Sequence, residues 1–297
     1  MLKTLISAIP FCIYLGIVIG SLALARHRRK TRWPFKEEDR LLRGPGESLR
    51  REVSNIDESL VTELGGGLLA MLISTWAAVS LNTYFGGSSL IALFAGAMAC
   101  LFITLLSTRR ILSLWQKRQS YFLGWFGERL VAEKLAPLRF SGWRVFHDVP
   151  FVSNGKPFNM DHIVVGEGGV FVIETKTRRK GGSFGDGPDD VVCFDGQALH
   201  WPRYKNDESG LRQAELNAQT CAKWIFEEIG ERIPASPILA IPGWSLQFTN
   251  TRPQRQCKVD SPNWILNTFK DHKPSVPQKT VELIARRLLA KCRDVED

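Results

Sequence analysis

The chain has 297 residues, with 39 Lys+Arg against 30 Asp+Glu and 44% apolar side chains. This excludes wholesale disorder and collagen-like repeats, and the length leaves room for one large or two ordinary domains. Six cysteines without any C-x-x-C spacing argue against a disulfide scaffold and a zinc ribbon. The formal charge of +9 suggests nucleic acid at first sight. However, residues 1–120 hold 15 Lys+Arg and 8 Asp+Glu, whereas residues 121–297 hold 24 and 22. The excess positive charge therefore belongs mostly to the first part of the chain, and the high pI is poor evidence for nucleic-acid binding.

Two long uncharged runs dominate that first part. Thr4–Ala25 is 22 residues and Leu64–Thr108 is 45 residues without charge. A bilayer core needs about 20 apolar helical residues. The first run fits one span. The second fits a helical hairpin broken near Asn82–Ser89, where Gly86-Gly87-Ser88-Ser89 offers a turn. About three transmembrane helices are expected, with segment boundaries at 1–25, 26–63 and 64–108. Segment 26–63 reads as a basic, polar, partly helical loop without chemistry of its own.

Lys and Arg set the orientation. Only Lys3 precedes the first run, Arg26–Glu63 holds ten Lys+Arg, and Arg109, Arg110, Lys117 and Arg118 follow the hairpin. The positive-inside rule places both basic segments in the cytoplasm. The expected location is the cell inner membrane, multi-pass, with anionic lipid near the basic loop. Ala23-Leu24-Ala25 matches a signal-peptide cleavage pattern, but its basic flank opposes that reading.

The remainder reads as an α/β domain. Gln116–Leu138 carries a helical apolar stripe. Trp143–Val152, Phe158–Val165 and Val170–Thr177 read as strands, the last two joined by Gly166-Glu167-Gly168-Gly169. Asp195-Gly196 signals a hairpin between Val191–Phe194 and Ala198–Trp201. Leu211–Ile229 is an amphipathic helix and Ile238–Ile241 a buried strand. Asn263–Phe269 and Pro277–Cys292 read as helical. The order predicts a mixed sheet flanked by helices.

Strand periodicity gives the sharpest chemical signal. Glu174 and Lys176 project to one face, and a hairpin through Gly166–Gly169 brings Asp161 beside Glu174. Two carboxylates spaced in this way hold a hard cation such as Mg²⁺. A neighbouring lysine orients a nucleophile or stabilises charge on phosphate. This is the constellation of metal-dependent phosphodiester cleavage. The same residues also fit an edge-strand salt bridge.

Further motifs follow in order along the chain. Gly127-Glu128-Arg129-Leu130-Val131 resembles the opening helix of the nuclease-related domain (NERD) family. Met160-Asp161-His162-Ile163-Val164-Val165 and Gly169-Val170-Phe171-Val172-Ile173-Glu174-Thr175-Lys176 resemble its two central strands. Leu211-Arg212-Gln213 stands where the family shows P-x-x-Q, here without the proline. Ile241-Pro242-Gly243-Trp244 resembles a strand ending of membrane-tethered members.

The resemblance covers roughly residues 120–245, within a domain drawn at 115–250 and followed by a helical extension over 251–297. It implies a restriction-endonuclease-like (PD-(D/E)xK) fold. It also implies Mg²⁺- or Mn²⁺-dependent hydrolysis of DNA, with Asp161, Glu174 and the accessory Glu128 as metal ligands. Lys176 would be the catalytic lysine and Gln213 a polar group beside the site. The alternative is a non-catalytic, membrane-tethered binding or scaffold module that keeps the fold.

Other candidates are weaker. His162 points to the face opposite Asp161. His147-Asp148 is a pair without partners in sequence. The Gly181–Pro188 stretch lacks the G-K-[ST] of a phosphate cradle. Arg178-Arg179-Lys180 reads equally as a backbone contact for nucleic acid or as a solvated strand end.

Overall fold

The computed structural model describes residues 41–87, 90–153, 155–180, 190–202, 204–249, 255–270 and 272–293, together with Gly20 and Leu24. The expected first span, the Arg26–Arg32 cluster and the Gly181–Pro188 stretch lie outside these described residues, apart from Gly20 and Leu24. The chain divides into two compact units: one within 56–117, the other built from 41–55 and 118–293.

Two long helices pass through the first unit. Helix α1 is Glu47–Tyr84 and helix α2 is Leu90–Leu135. Both are long and apolar enough to cross a membrane, so the described residues contain two candidate spans rather than three. The turn falls at Phe85–Gly87, where the sequence places it. The separate helix expected from Gln116 is instead the last part of the 46-residue α2. No proline interrupts Leu90–Leu135, and Pro137 opens the 3₁₀ turn Ala136–Ser141 that ends it.

The second unit is a mixed α/β fold. Its strands are β1 Arg144–Ser153, β2 Lys156–Gly166, β3 Gly169–Thr175, β4 Val191–Phe194, β5 Leu199–His200, β6 Ala235–Ala240, β7 Ser245–Phe248 and β8 Lys258–Asp260. Its helices, beyond the end of α2, are α3 Ser209–Ile229, α4 Asn267–Lys270 and α5 Gln278–Lys291. The main sheet has the order β1-β2-β3-β6-β8, with β4, β5 and β7 in a small second sheet. β1, β2 and β3 are antiparallel, whereas β6 and β8 run parallel to β3. β7 and β8 are too short for periodicity to reveal, and the sequence reading lacks them.

Helices cover both faces of the main sheet. On one face, Ile163 and Val172 pack with Ala218, Cys221 and Ile225 of α3 and with Ile284 and Leu288 of α5. On the other, Val164 and Ile173 pack with Val131 and Leu135 of α2. Fully burying one such aliphatic side chain contributes about 1.5–3 kcal/mol. α5 thus belongs to the main core, so the helical extension expected over 251–297 is part of the domain.

Segment 41–55 also belongs to this unit. The sequence presents it as solvated loop because its charges alternate, but Val53 is buried and Arg43 meets a buried carboxylate on β1.

Candidate active site

The register builds the site. His162 pairs with Ile173, and the β2–β3 connection is the tight Gly166–Gly169 turn. The next residues outward are therefore Asp161 and Glu174, opposite each other. Glu174 is 3% exposed. The Thr175 N–H donates to Asp161 Oδ2 at 2.7 Å, which fixes that carboxylate against the end of β3.

Lys176 lies one alternation beyond Glu174, on the same side. Its Nζ donates to Gln213 Oε1 at 3.0 Å and to Glu174 Oε1 at 3.4 Å. Asn217, one turn after Gln213 on α3, donates its Nδ2 to Glu174 Oε2 at 3.0 Å. Both oxygens of Glu174 are thus held. The sequence reading missed Asn217, although its spacing of four from Gln213 places it on the same helix face.

Glu128 arrives from α2 and is 6% exposed. Gly127 explains how the helix comes so near: a Cβ there would lie 3.3 Å from both Pro242 Cγ and Thr177 Cγ2. A side chain at 127 would press α2 off the end of β3. A cavity of about 410 Å³ is lined by Glu128, Asp161, Glu174, Lys176 and Gln213, so all five expected residues share it. A second cavity, of about 630 Å³ beside Trp244, Lys258 and Trp264, contains none of them.

One further carboxylate stands in this neighbourhood. The register pairs His147 with His162 and Val149 with Met160, which leaves Asp148 opposite Asp161. Asp148 is 1% exposed and adopts a positive φ of 48°. Far from lacking partners, its Oδ1 and Oδ2 accept from Ser48 Oγ at 2.5 Å and Ser48 N–H at 3.1 Å. Arg43 Nε stands 3.3 Å from Oδ2. These partners come from the segment before the hairpin, about 100 residues earlier, where local sequence patterns cannot point to them.

The electrostatics follow from burial and crowding. Burial, then repulsion from Glu174 and Glu128, holds Asp161 well above the usual carboxylate range. Burial pushes Glu174 up to about 7, against the pull of Lys176 and Asn217. Burial, then Asp148 and Glu174, pushes Glu128 up to about 8. Burial also raises Asp148, with Ser48 and Arg43 opposing.

His162 faces away from this group, as strand alternation predicts. Its Nδ1 meets His147 Nδ1 at 2.9 Å, and the two rings stand edge to face. Arg178 pairs with Asp207 and stacks over Trp201 and Tyr204 at 5.4 and 4.8 Å. It is engaged within the fold, not a simple solvated strand end. Lys180 lies 5.6 Å over the Trp244 ring.

The donors suit a hard divalent cation. Asp161 and Glu174 offer carboxylate oxygens that repel each other, and a small oxygen-seeking ion relieves that repulsion. Among the described residues no three His, Cys, Asp or Glu side chains gather closely enough to hold a metal ion together. The paired carboxylates, supplemented by water and phosphate oxygen, match the sparse protein coordination that Mg²⁺ accepts.

Residues 123–242 match the family model described as nuclease-related domain (NERD). No curated protein and no solved structure matches the chain.

Proposed function

We propose that this nuclease-related domain hydrolyses phosphodiester bonds in DNA with Mg²⁺ or Mn²⁺, tethered at the cytoplasmic side of the inner membrane. The observation that carries the reading is the convergence of Asp161, Glu174, Lys176, Gln213 and Glu128 on one cavity. The five come from β2, β3 and the residue just after it, and two helices.

Asp161 and Glu174 would hold the ion, with Glu128 as accessory carboxylate. When bound, the ion offsets charge on the phosphate and lowers the pKa of bound water. Asn217 and the Thr175 N–H fix the two carboxylates, so little reorganisation is left for the reaction itself. Lys176 is steadied by Gln213 and Glu174 and keeps a side chain 33% exposed. It can therefore donate a proton to a phosphate oxygen or orient a water. Hydrolysis adds water across one P–O bond and leaves a phosphate on one fragment and a hydroxyl on the other.

The membrane tether is supported by the two apolar helices, whose most apolar stretches are 11% and 0% buried. Exposed apolar surface on this scale needs a partner, and a bilayer is one. Arg109 and Arg110 follow the hairpin and its turn carries no charge, as cytoplasmic flanks require. Both ends of the hairpin belong to the α/β unit, so two crossings return the chain to the side it left. Thr4–Ala25 would add a third span, and the basic stretch after it would meet anionic lipid.

The test uses the whole chain, because residues 41–55 belong to the α/β unit. The chain is expected to stay with membranes through carbonate extraction. In detergent it should cleave single- or double-stranded DNA on addition of Mg²⁺ or Mn²⁺. Asp161→Ala and Lys176→Ala should lose about 10²–10⁴-fold in rate, whereas Lys223→Ala, on the surface of α3, should not. Equal cleavage by all variants would sink the assignment; a membrane-bound chain without any cleavage would favour a scaffold.

A further inference from the structure

The second cavity has a chemistry of its own. It opens between β7 and the turn after β8, and two aromatic rings stand bare at it: Trp264 is 66% exposed and Phe248 59%. Tryptophan is highly buried on average, and packing gives no reason for this exposure. The turn that carries Trp264 is already anchored by the next residue, Ile265, which is fully buried. Asn263 and Asn267 line the same cavity and are exposed. Among the described residues, neither side-chain amide has a hydrogen bond within the fold. Lys258 stands 3.4 Å from Asp260, so the charged groups of the cavity cancel.

Bare rings and free amides are what an unpaired nucleobase needs. A ring offers its face a stacking partner, and an amide offers its edge both a donor and an acceptor. A base inside a duplex has its faces already stacked. A sugar ring would also stack on Trp264, but it has no use for cations nearby, and the surroundings supply them.

Those cations lie on the path between the two cavities. Thr175 of β3 pairs with Ala240 of β6, and Ala240 with Asp260 of β8. The carboxyl ends of three parallel strands therefore stand level, where ligands bind in open α/β sheets. β3 and β8 are two strand spacings apart, about 10 Å. Arg178 and Arg179 follow β3 and line the carboxylate cavity. The Arg178 carbonyl accepts from Trp244 Nε1 at 3.0 Å, and Lys180 lies 5.6 Å over that ring. Trp244 in turn is part of the wall of the second cavity. Arg178 is taken up by Asp207. Arg179 and Lys180 are exposed and, among the described residues, pair with no carboxylate.

We propose that the cavity beside Trp264 holds an unpaired base of a single-stranded DNA whose backbone runs over Lys180 and Arg179 into the carboxylate cavity. Trp264 and Phe248 stack the base, Asn263 and Asn267 meet its edge, and the two cations meet the phosphates between. At about 3.4 Å per nucleotide, the distance between the strand ends spans about three nucleotides. The proposal deepens the nuclease reading by naming a single strand as its substrate. It rests on that reading for the cutting and not for the binding.

The test keeps the whole chain in detergent, with EDTA present so that binding is read without cleavage. The probe is a fluorescein-labelled oligodeoxythymidine, followed by anisotropy. Trp264→Ala weakens its binding by about 5–150-fold, the worth of one stacked base, and Trp264→Phe restores most of the loss. Binding of a blunt duplex is indifferent to both changes. Arg179→Ala and Lys180→Ala each lower the slope of log affinity against log salt by about 0.7, whereas Trp264→Ala leaves the slope alone. With Mg²⁺ added, Trp264→Ala raises KM for the single strand and keeps kcat.

Single-strand affinity unchanged in Trp264→Ala overturns the proposal, and so does an equal loss on the duplex. A wild type that binds no single strand overturns it too; binding of maltohexaose in its place, lost in Trp264→Ala, would make the cavity a sugar site. Ring-dependent binding of the single strand, with no cleavage on addition of Mg²⁺ or Mn²⁺, upholds the base site and sinks the nuclease reading alone.

Discussion

His147 and His162 face each other across β1 and β2, and the next pair along the same strands is Asp148 and Asp161. Both rows are polar and lie within the sheet, yet they meet the cost of burial differently. The imidazoles bond to each other at 2.9 Å and give up their charge. Burial pulls His147 down to about 4, with Arg139 adding to it, and draws His162 well below its ordinary value. The carboxylate row cannot satisfy itself in this way. Asp161 and Glu174 repel each other, and their support comes from Thr175, Asn217 and Lys176. One row is closed, and the other keeps carboxylates that repel each other.

A divalent ion should therefore separate the two rows. With Mg²⁺ or Mn²⁺ at a hundredfold excess over Kd, the wild type should gain about 2.7 kcal/mol, a shift of several degrees in Tm. Glu174→Ala should abolish the shift and His147→Phe should leave it in place. A shift that survives in Glu174→Ala would place the ion elsewhere.

Acidification should act on the rows with opposite signs. Below the unfolded histidine value of 6.5, the unfolded chain takes up protons that folded His147 refuses until about 4. Stability from the imidazole row is thus lost as pH falls through that window, by about 2 kcal/mol for His147 at pH 5. Glu128, raised from 4.5 to about 8, takes up its proton more readily in the folded state. Glu128, which reaches the carboxylate row from α2, thereby adds stability as pH falls from about 8 towards 4.5. Thermal melts from pH 8 to 4 should show His147→Phe less acid-sensitive than the wild type, and an unchanged slope would contradict the closed-row account.

Asn217→Ala is the mildest break. It leaves Glu174 Oε2 without its amide donor, a loss of about 1–1.5 kcal/mol, and cleavage should slow by about tenfold while DNA affinity holds. Steady-state kinetics separate this from a folding defect, which would lower the active fraction and leave KM and the rate per active molecule unchanged.

The two rows also differ in how far sequence reveals them. Asp161 and Glu174 are legible because a tight Gly166–Gly169 turn ties the strands and fixes their register. Gln213 came with the family motif, and Asn217 follows from it by helical spacing. Asp148 does not emerge. Its importance depends on the β1–β2 register and on Ser48 and Arg43, separated from it by a hairpin of apolar chain. The hairpin turn and the main strands were legible from periodicity, whereas β7 and β8 owe their form to neighbouring strands already in position.

The bridge from Leu42 to Arg293 and the Arg43 bond to Cys292 bear on how the protein is made. A ribosome releases Leu42 and Arg43 first, then both apolar helices, and only much later the end of α5 that they meet. Domains generally fold as units during synthesis. This one cannot close its outermost contacts until residue 292 has emerged, by which time the apolar hairpin has long been synthesised. The order of translation therefore delivers the two apolar helices before the carboxylate-lined cavity can be completed.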